Sequence, residues 1–269
     1  MTDVGTARLG WQSKGLLDGR DPLSRWPPPA SGSGELATVI DVLAEAPDTV
    51  TLRLRCSATH SFLPGQHFVV RVSTGGPFPA LESYSVASSP WPDPSIIDLT
   101  IKEVPGGRVS PRLVRQIPVG AVLAIEGPFG YFTWTEADGG PLALVGAGSG
   151  MVPLMAIVRY AAAKQLNVPV RLLCSSAGRD HAIYHEHLAA LAASHPWLEV
   201  THTFTRDADD TYARYHRRID ATMLAETFAC IAATCQAYVC GPPGTVRAAE
   251  AGLAAVGVAA GRLNTEEWD

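Results

Sequence analysis

The chain is short of charge and has no basic excess. Charged residues make up 17% of its 269 positions, and 21 Lys and Arg stand against 26 Asp and Glu, a formal net charge of −5 at pH 7. A nucleic-acid binder needs cationic surface to meet a phosphate backbone, so that class is excluded. Long hydrophobic runs are missing as well. No apolar stretch reaches membrane-spanning length, and the first residues carry no apolar core of a signal peptide, so the expected setting is the cytoplasm with no membrane partner. Cysteine is sparse: Cys56, Cys174, Cys230, Cys235 and Cys240 are scattered and odd in number, which fits reduced thiols. None of them has iron–sulfur spacing, so if this chain moves electrons, the expected iron–sulfur partner is a separate protein. Metal ligation is not indicated either. His181, His185 and His187 lack a carboxylate at metalloprotease spacing and read as solvated helix histidines, with His181 and His185 on one face.

What is present is a globular composition, 46% hydrophobic, with length enough for two domains. Residues 1–34 are polar and end in Pro27-Pro28-Pro29 and Ser31-Gly32-Ser33-Gly34, an arm and linker. Trp11, Leu16, Leu17, Leu23 and Trp26 are too many large apolar side chains for a solvated tail, so part of the arm is expected to pack along the body. Residues 35–138 read as all-β. Six short runs, 38–42, 50–55, 68–72, 83–87, 97–101 and 122–125, are mostly β-branched or alternating and separated by Pro, Gly and Asp. Six strands in about a hundred residues predict a small antiparallel β-barrel. One short helix, 109–116, carries Arg112 and Arg115.

From 141 to 269 the pattern alternates strands with alanine-rich helices, which predicts a doubly wound parallel sheet. Strands are expected at 142–146, 168–174, 198–204 and 236–240, and helices at 152–164, 183–193, 220–232 and 242–256. Ligands in such sheets sit beyond the carboxyl ends of strands. Two glycine-bearing turns lie there: Gly146-Ala147-Gly148-Ser149-Gly150-Met151-Val152-Pro153 and Cys240-Gly241-Pro242-Pro243-Gly244. Glycines permit a sharp turn and close approach of a ligand, Pro153 suits a first helical turn, and free N–H groups at a helix start favour an anion. Ser149 is no nucleophile elbow, because no His/Asp order follows it. Cys230 and Cys235 read as buried hydrophobes.

Several strings in order carry a resemblance. They are Tyr84-Ser85 with Val86-Ala87-Ser88-Ser89-Pro90, Gly106-Gly107-Arg108-Val109-Ser110, Gly127-Pro128-Phe129-Gly130-Tyr131-Phe132, Gly148-Ser149-Gly150-Met151-Val152-Pro153 and Cys240-Gly241-Pro242. Over residues 35–269 the chain resembles the ferredoxin–NADP reductase-like flavoprotein superfamily, in its FAD-binding form without an iron–sulfur domain. The resemblance implies a flavin-binding barrel at 35–138, a nicotinamide-nucleotide domain at 141–269, and an NAD(P)H-dependent oxidoreductase that passes electrons to a ferredoxin, an oxygenase component or a small molecule.

It also implies site residues. Tyr84 would lie against the flavin ring, with Ser83 and Ser85 supplying hydroxyls and Val86 continuing the strand. Gly106, Gly107, Arg108, Val109 and Ser110 would hold the flavin phosphates, Ser110 also as a helix cap. Gly148, Gly150, Met151 and Pro153 would form the nucleotide pyrophosphate loop, and Gly241 and Pro242 its far wall. Cys240 would face the nicotinamide, and with Ser85 it shapes the transfer pocket. Ser175 and Ser176, with Arg179 displaced by two positions from the usual arginine, point to NADPH ahead of NADH. Trp268, in the terminal Thr265-Glu266-Glu267-Trp268-Asp269, would cap the flavin ring. One residue departs from the pattern: Glu82 stands where relatives carry an arginine for the flavin phosphate. With Tyr84, Ser85 and Gly106-Gly107 retained, the expected cofactor is FAD, with FMN the alternative. Altered or lost flavin binding at Glu82 leaves a non-redox enzyme or a binding module on the same scaffold as the other readings.

Overall fold

The expected β-rich half forms around a barrel core. The structure, a computed structural model, describes residues 23, 26–27, 34–57, 61–73 and 78–268. Its first sheet contains β1 (Glu35–Ala46), β2 (Thr49–Cys56), β3 (His67–Val72), β4 (Ala80–Ser85), β5 (Ile96–Lys102) and β6 (Val122–Phe129), all neighbours antiparallel in the order β4-β3-β6-β1-β2-β5. Alternation puts Phe68, Val70, Leu52, Leu54, Leu99, Ile101, Leu123 and Ile125 inside, where each fully buried side chain contributes about 1.5–3 kcal/mol. The helix α1 (Ser110–Arg115) adds Leu113 and Val114 to that core.

The fourth strand starts earlier than its apolar pattern suggests, because Ala80 through Ser85 pair with Val72 through His67. Beyond Ser85 the chain changes partners. The Val86 N–H still donates to the Gln66 carbonyl at 2.9 Å, while Val86 itself bridges Leu99 of β5. That one bridge closes the barrel. It also leaves the outer edge of β4 unpaired along Ala80 to Ser85 among the described residues.

The second sheet is parallel and alternates with helices: β7 (Leu142–Ala147), α2 (Met151–Ala163), β8 (Val170–Ser176), α3 (His185–Ser194), β9 (Leu198–Phe204), α4 (Ala221–Phe228), β10 (Gln236–Gly241), α5 (Pro243–Ala255) and β11 (Leu263–Glu267). The order is β11-β10-β7-β8-β9, so chain direction across the sheet reverses between β7 and β10. Ligand crevices form at such a switch point. Both glycine turns flank it.

Three expectations need correcting. The fourth helix of this half ends at Phe228, not 232; the chain turns there so that Cys235 enters the core, and Cys230 is left exposed rather than buried. Tyr184 adopts φ 63 and starts α3 only at His185, so His181 sits in a separate short turn and shares no helix face with it. Among the described residues no cluster of three metal-ligating side chains forms, and no helix is long and apolar enough to cross a membrane. Of the arm's apolar residues, Trp26 packs against the barrel core with the Arg112 guanidinium 5.8 Å from its ring, and Leu23 lies against Gly120. Trp11, Leu16 and Leu17 fall outside the described residues.

Candidate functional site

At the end of β7 the chain turns through Gly148–Gly150 into α2. A Cβ on Gly150 would stand 2.1 Å from the Cys240 carbonyl oxygen and 2.6 Å from the Trp268 ring, so only glycine lets the helix start press against the end of β10. Gly148, by contrast, faces open space, and no acidic residue occupies the first turn of α2. An anion approaching the turn meets the N-terminal end of α2, whose first turn carries no acidic side chain. Met151 and Pro153 are buried in the core and set the helix start from below.

Cys240 has no exposed surface, and its thiol donates to Oε2 of Glu266 at 3.6 Å. Burial, reinforced by the Glu266 charge, pushes the thiol pKa far up, so Cys240 is a neutral thiol and no nucleophile. Burial also raises the Glu266 carboxyl, against the lowering effects of the Cys240 bond and of the charge on His67. His67 belongs to the barrel, where it is the register partner of Ser85. Ala87, two residues past Ser85, shares one buried cluster with Cys240 and Met151, which brings the end of β10 beside the strand that carries Ser85. Trp268 is half-buried over Gly150 and the Cys240 core, at the mouth of the same turn.

On the barrel, Ala80, Glu82 and Tyr84 share one face of β4, and Ser83 and Ser85 the other. Tyr84 packs half-buried against the barrel core; burial and then the Glu82 charge raise its hydroxyl pKa. Glu82 is exposed beside it and makes no hydrogen bond or ion pair among the described residues. Gly106 has φ +76 with nothing near its Cβ position, an open left-handed corner. Ser110 is not the helix cap expected from the sequence. Its Oγ accepts the Val104 N–H at 3.0 Å and so closes the 104–110 loop, while Val109 occupies the cap position without a side-chain bond. Arg108 is exposed and Val109 buried.

At the end of β8, Ser175 and Ser176 are half-buried, and Ser176 Oγ donates to the Gly178 carbonyl at 3.0 Å. Arg179 is exposed, with its guanidinium 4.7 Å over the Tyr212 ring. The loop carrying Tyr212 is pinned alongside, because the N–H groups of Thr205 and Arg206 donate to Ser176 and Ala177. Arg214 and Arg217 are taken up by Glu226, Asp220 and the Tyr215 ring. Arg179 and Arg206 are therefore the arginines beside the serines.

This donor set fits a flavin and a nicotinamide nucleotide. An aromatic face lies by an unpaired strand edge, and two glycine corners open on free space. Glu82 alone is a misfit. Residues 37–134 match the model of the oxidoreductase FAD-binding domain and residues 144–251 that of the oxidoreductase NAD-binding domain. The chain belongs to the ferredoxin–NADP reductase-like oxidoreductase family. Its barrel is an FAD-binding domain and its parallel sheet an NAD-binding domain.

Among relatives within the family, the reductase component of a naphthalene 1,2-dioxygenase system from Pseudomonas putida is 31% identical over 211 residues, covering 78% of this chain and 62% of that protein. A Bordetella pertussis flavohemoprotein is 31% identical, covering 78% of this chain and 53% of its own length. The chain thus spans less than two thirds of these relatives. Of solved structures, the ferredoxin reductase of carbazole 1,9a-dioxygenase is 27% identical at TM-score 0.76, covering 90% of this chain and 71% of that one. An Amycolatopsis cytochrome P450 reductase is 25% identical at TM-score 0.77, covering 87% and 69%.

The sequence did not single out Glu266, His67 or Tyr212. Glu266 had a usable signal, two positions before Trp268 on the same side of a terminal strand. His67 and Tyr212 had none, since both act through neighbours distant in sequence.

Proposed function

We propose that the chain is an NAD(P)H-dependent flavoprotein reductase, with NADPH preferred, that hands electrons to a separate acceptor: a ferredoxin, an oxygenase component or a small molecule. The observation that carries this reading is the approach of the two half-sites. Ala87, two residues past Ser85 on the barrel, packs in one buried cluster with Met151 of the nucleotide turn and with Cys240, which holds Glu266. The bound flavin supplies the hydride-accepting chemistry. The protein's residues bind, orient and exclude water. The N–H groups over Gly148–Gly150 and the Gly241-Pro242 wall hold the nucleotide diphosphate, and Ser175, Ser176 and Arg179 take the adenosine end. Tyr84 and the Gly106–Ser110 loop, with Ser83, Val86 and Arg108 along it, hold the flavin. Cys240 and Ser85 shape the space between the rings, and Trp268 shields it from solvent.

Adding NADPH without oxygen is expected to bleach a yellow flavin band, read by absorbance. A wild-type protein that binds neither FAD nor FMN refutes the reading if Glu82→Arg binds neither as well. That variant is expected to bind FAD at least ~10-fold more tightly, because a like charge beside the flavin phosphate becomes an opposite one; exposure of Glu82 keeps the gain near 1.4 kcal/mol rather than several. Titration of apoprotein with FAD and FMN measures it, and equal affinity in both proteins removes Glu82 from the site.

Nucleotide choice rests on Arg179. Arg179→Ala is expected to narrow the NADPH-over-NADH preference about tenfold, the low end for a lost charge-assisted bond, because the guanidinium is exposed. Steady-state kcat/KM for the two nucleotides checks this. A wild-type preference for NADH overturns it.

A further inference from the structure

The two sheets are joined by a buried polar bridge that neither half-site uses. Arg159, on α2 about two turns beyond the Gly148–Gly150 corner, is at its centre, with 15% of its side chain exposed. Its Nη1 donates to the Ala87 carbonyl at 2.8 Å and lies 3.6 Å from Oδ2 of Asp98. Its Nη2 meets Nδ1 of His187 at 3.1 Å, and the guanidinium lies 5.3 Å over the Tyr184 ring. Asp98, 2% exposed, also takes a two-pronged bond from Arg53 at 2.8 and 3.0 Å. The backbone around it is sewn to the end of the flavin strand: Ala87 N–H donates to the Asp98 carbonyl, and Asp98 N–H to Ser88 Oγ.

A second path runs beside the first. The Tyr184 hydroxyl donates to Thr100 Oγ1, which shares a 2.7 Å bond with Thr51 Oγ1. Thr51 donates to Glu45 at 2.6 Å. Tyr184 holds φ 63, a left-handed conformation that a tyrosine keeps only where its surroundings over-determine it.

Both ends of this bridge touch the chemistry. Ala87 lies two residues past Ser85, and α2 begins at the nucleotide turn. A buried ion pair adds little net stability over an apolar packing, but a satisfied one admits few alternative geometries. We propose that Arg159 is a positioning residue for hydride transfer: held by Ala87 and Asp98 on the barrel and by Tyr184 and His187 on the other half, it fixes the start of α2 against the flavin strand. This rests on the reductase reading above. A displacement of about 1 Å between reacting groups can cost a hundredfold in rate, so a rigid bridge outside the pocket has leverage on the reaction.

Arg159→Met keeps the stem and removes the fork, and Asp98 retains Arg53, so no buried carboxylate is left alone. With the flavin-loaded full chain, flavin affinity is expected to stay within twofold and NADPH affinity within about threefold. Anaerobic flavin reduction at saturating NADPH should slow at least thirtyfold. The long-wavelength charge-transfer absorbance of the stacked nicotinamide and flavin rings should disappear, and Arg159→Lys should recover part of both. Rate and band both within twofold of wild type overturn the proposal. If Arg159→Met does not fold, Tyr184→Phe keeps the ring beneath Arg159 and loses only the link to Thr100. It should slow reduction three- to tenfold at unchanged flavin affinity, and an unchanged rate there overturns the proposal equally. Failure of the wild-type protein to bleach refutes the reductase reading; a wild type that bleaches and variants that match it remove only the role of Arg159.

Discussion

Cys240→Ala is expected to slow anaerobic flavin reduction by NADPH about a hundredfold while changing nucleotide affinity less than about threefold, the pattern of an interaction made mainly in the transition state. Cys240 is fully buried beneath the Gly150 corner and Trp268. Its Sγ both fills that space and holds the Glu266 carboxyl at 3.6 Å. Removing the sulfur frees a half-buried carboxyl and opens a small void where ring placement is decided. The diphosphate contacts at Gly148–Gly150 and Gly241-Pro242 are untouched, so affinity should hold. Stopped-flow reduction at several NADPH concentrations separates the two quantities. Affinity falling as much as rate would show that Cys240 serves binding instead.

The second large effect concerns stability in acid. His202, on β9, is 5% exposed, and neither ring nitrogen has a hydrogen-bond partner. Burial first, and then the like charge of His185, lower its pKa from 6.5 to about 4. Tyr212 lies 5.0 Å from its ring, and Arg179 stacks on the far side of the cluster. No carboxylate bonds the ring to offset a proton. Between the unfolded and folded values the unfolded chain binds the extra proton, so stability is intact above pH 6.5 and falls as pH drops toward 4. The loss is about 3 kcal/mol, some two powers of ten in the folding equilibrium. Urea unfolding from pH 7 to pH 4 should show this slope in the wild type and lose it in His202→Leu. Parallel curves for the two proteins would exclude His202 as the group responsible. Because the 205–216 loop covers this histidine and carries Tyr212, acid should also loosen the adenosine end of the nucleotide site before the barrel.

Both sheets were legible in the sequence because period-two alternation and strand–helix alternation are local signals of burial, and burial dominates folding. The glycine turns were legible for the same local reason: Gly106 and Gly150 sit where backbone conformation or close approach admits no side chain. Element ends were less visible. The helix ending at Phe228 and the late start of α3 depend on Cys235 and Tyr184 meeting distant partners, and the wrong expectations for Cys230 and for the His181–His185 face follow from those two ends. Ser110 looked like a cap from its neighbours, yet it bonds Val104 across a loop.

The order of apolar runs, the glycine corners and the misfit Glu82 are properties of the sequence by itself, and with them the family, the two kinds of domain and the class of cofactor. Which groups meet was decided only by the tertiary structure. Glu266 reaches Cys240 across a strand pair, and Arg159 binds Ala87 and Asp98 some sixty to seventy positions earlier in the chain. Such contacts are hydrogen bonds and ion pairs between residues far apart in sequence. Their partners are chosen by the packing of the two sheets, and no local pattern of residues encodes that packing.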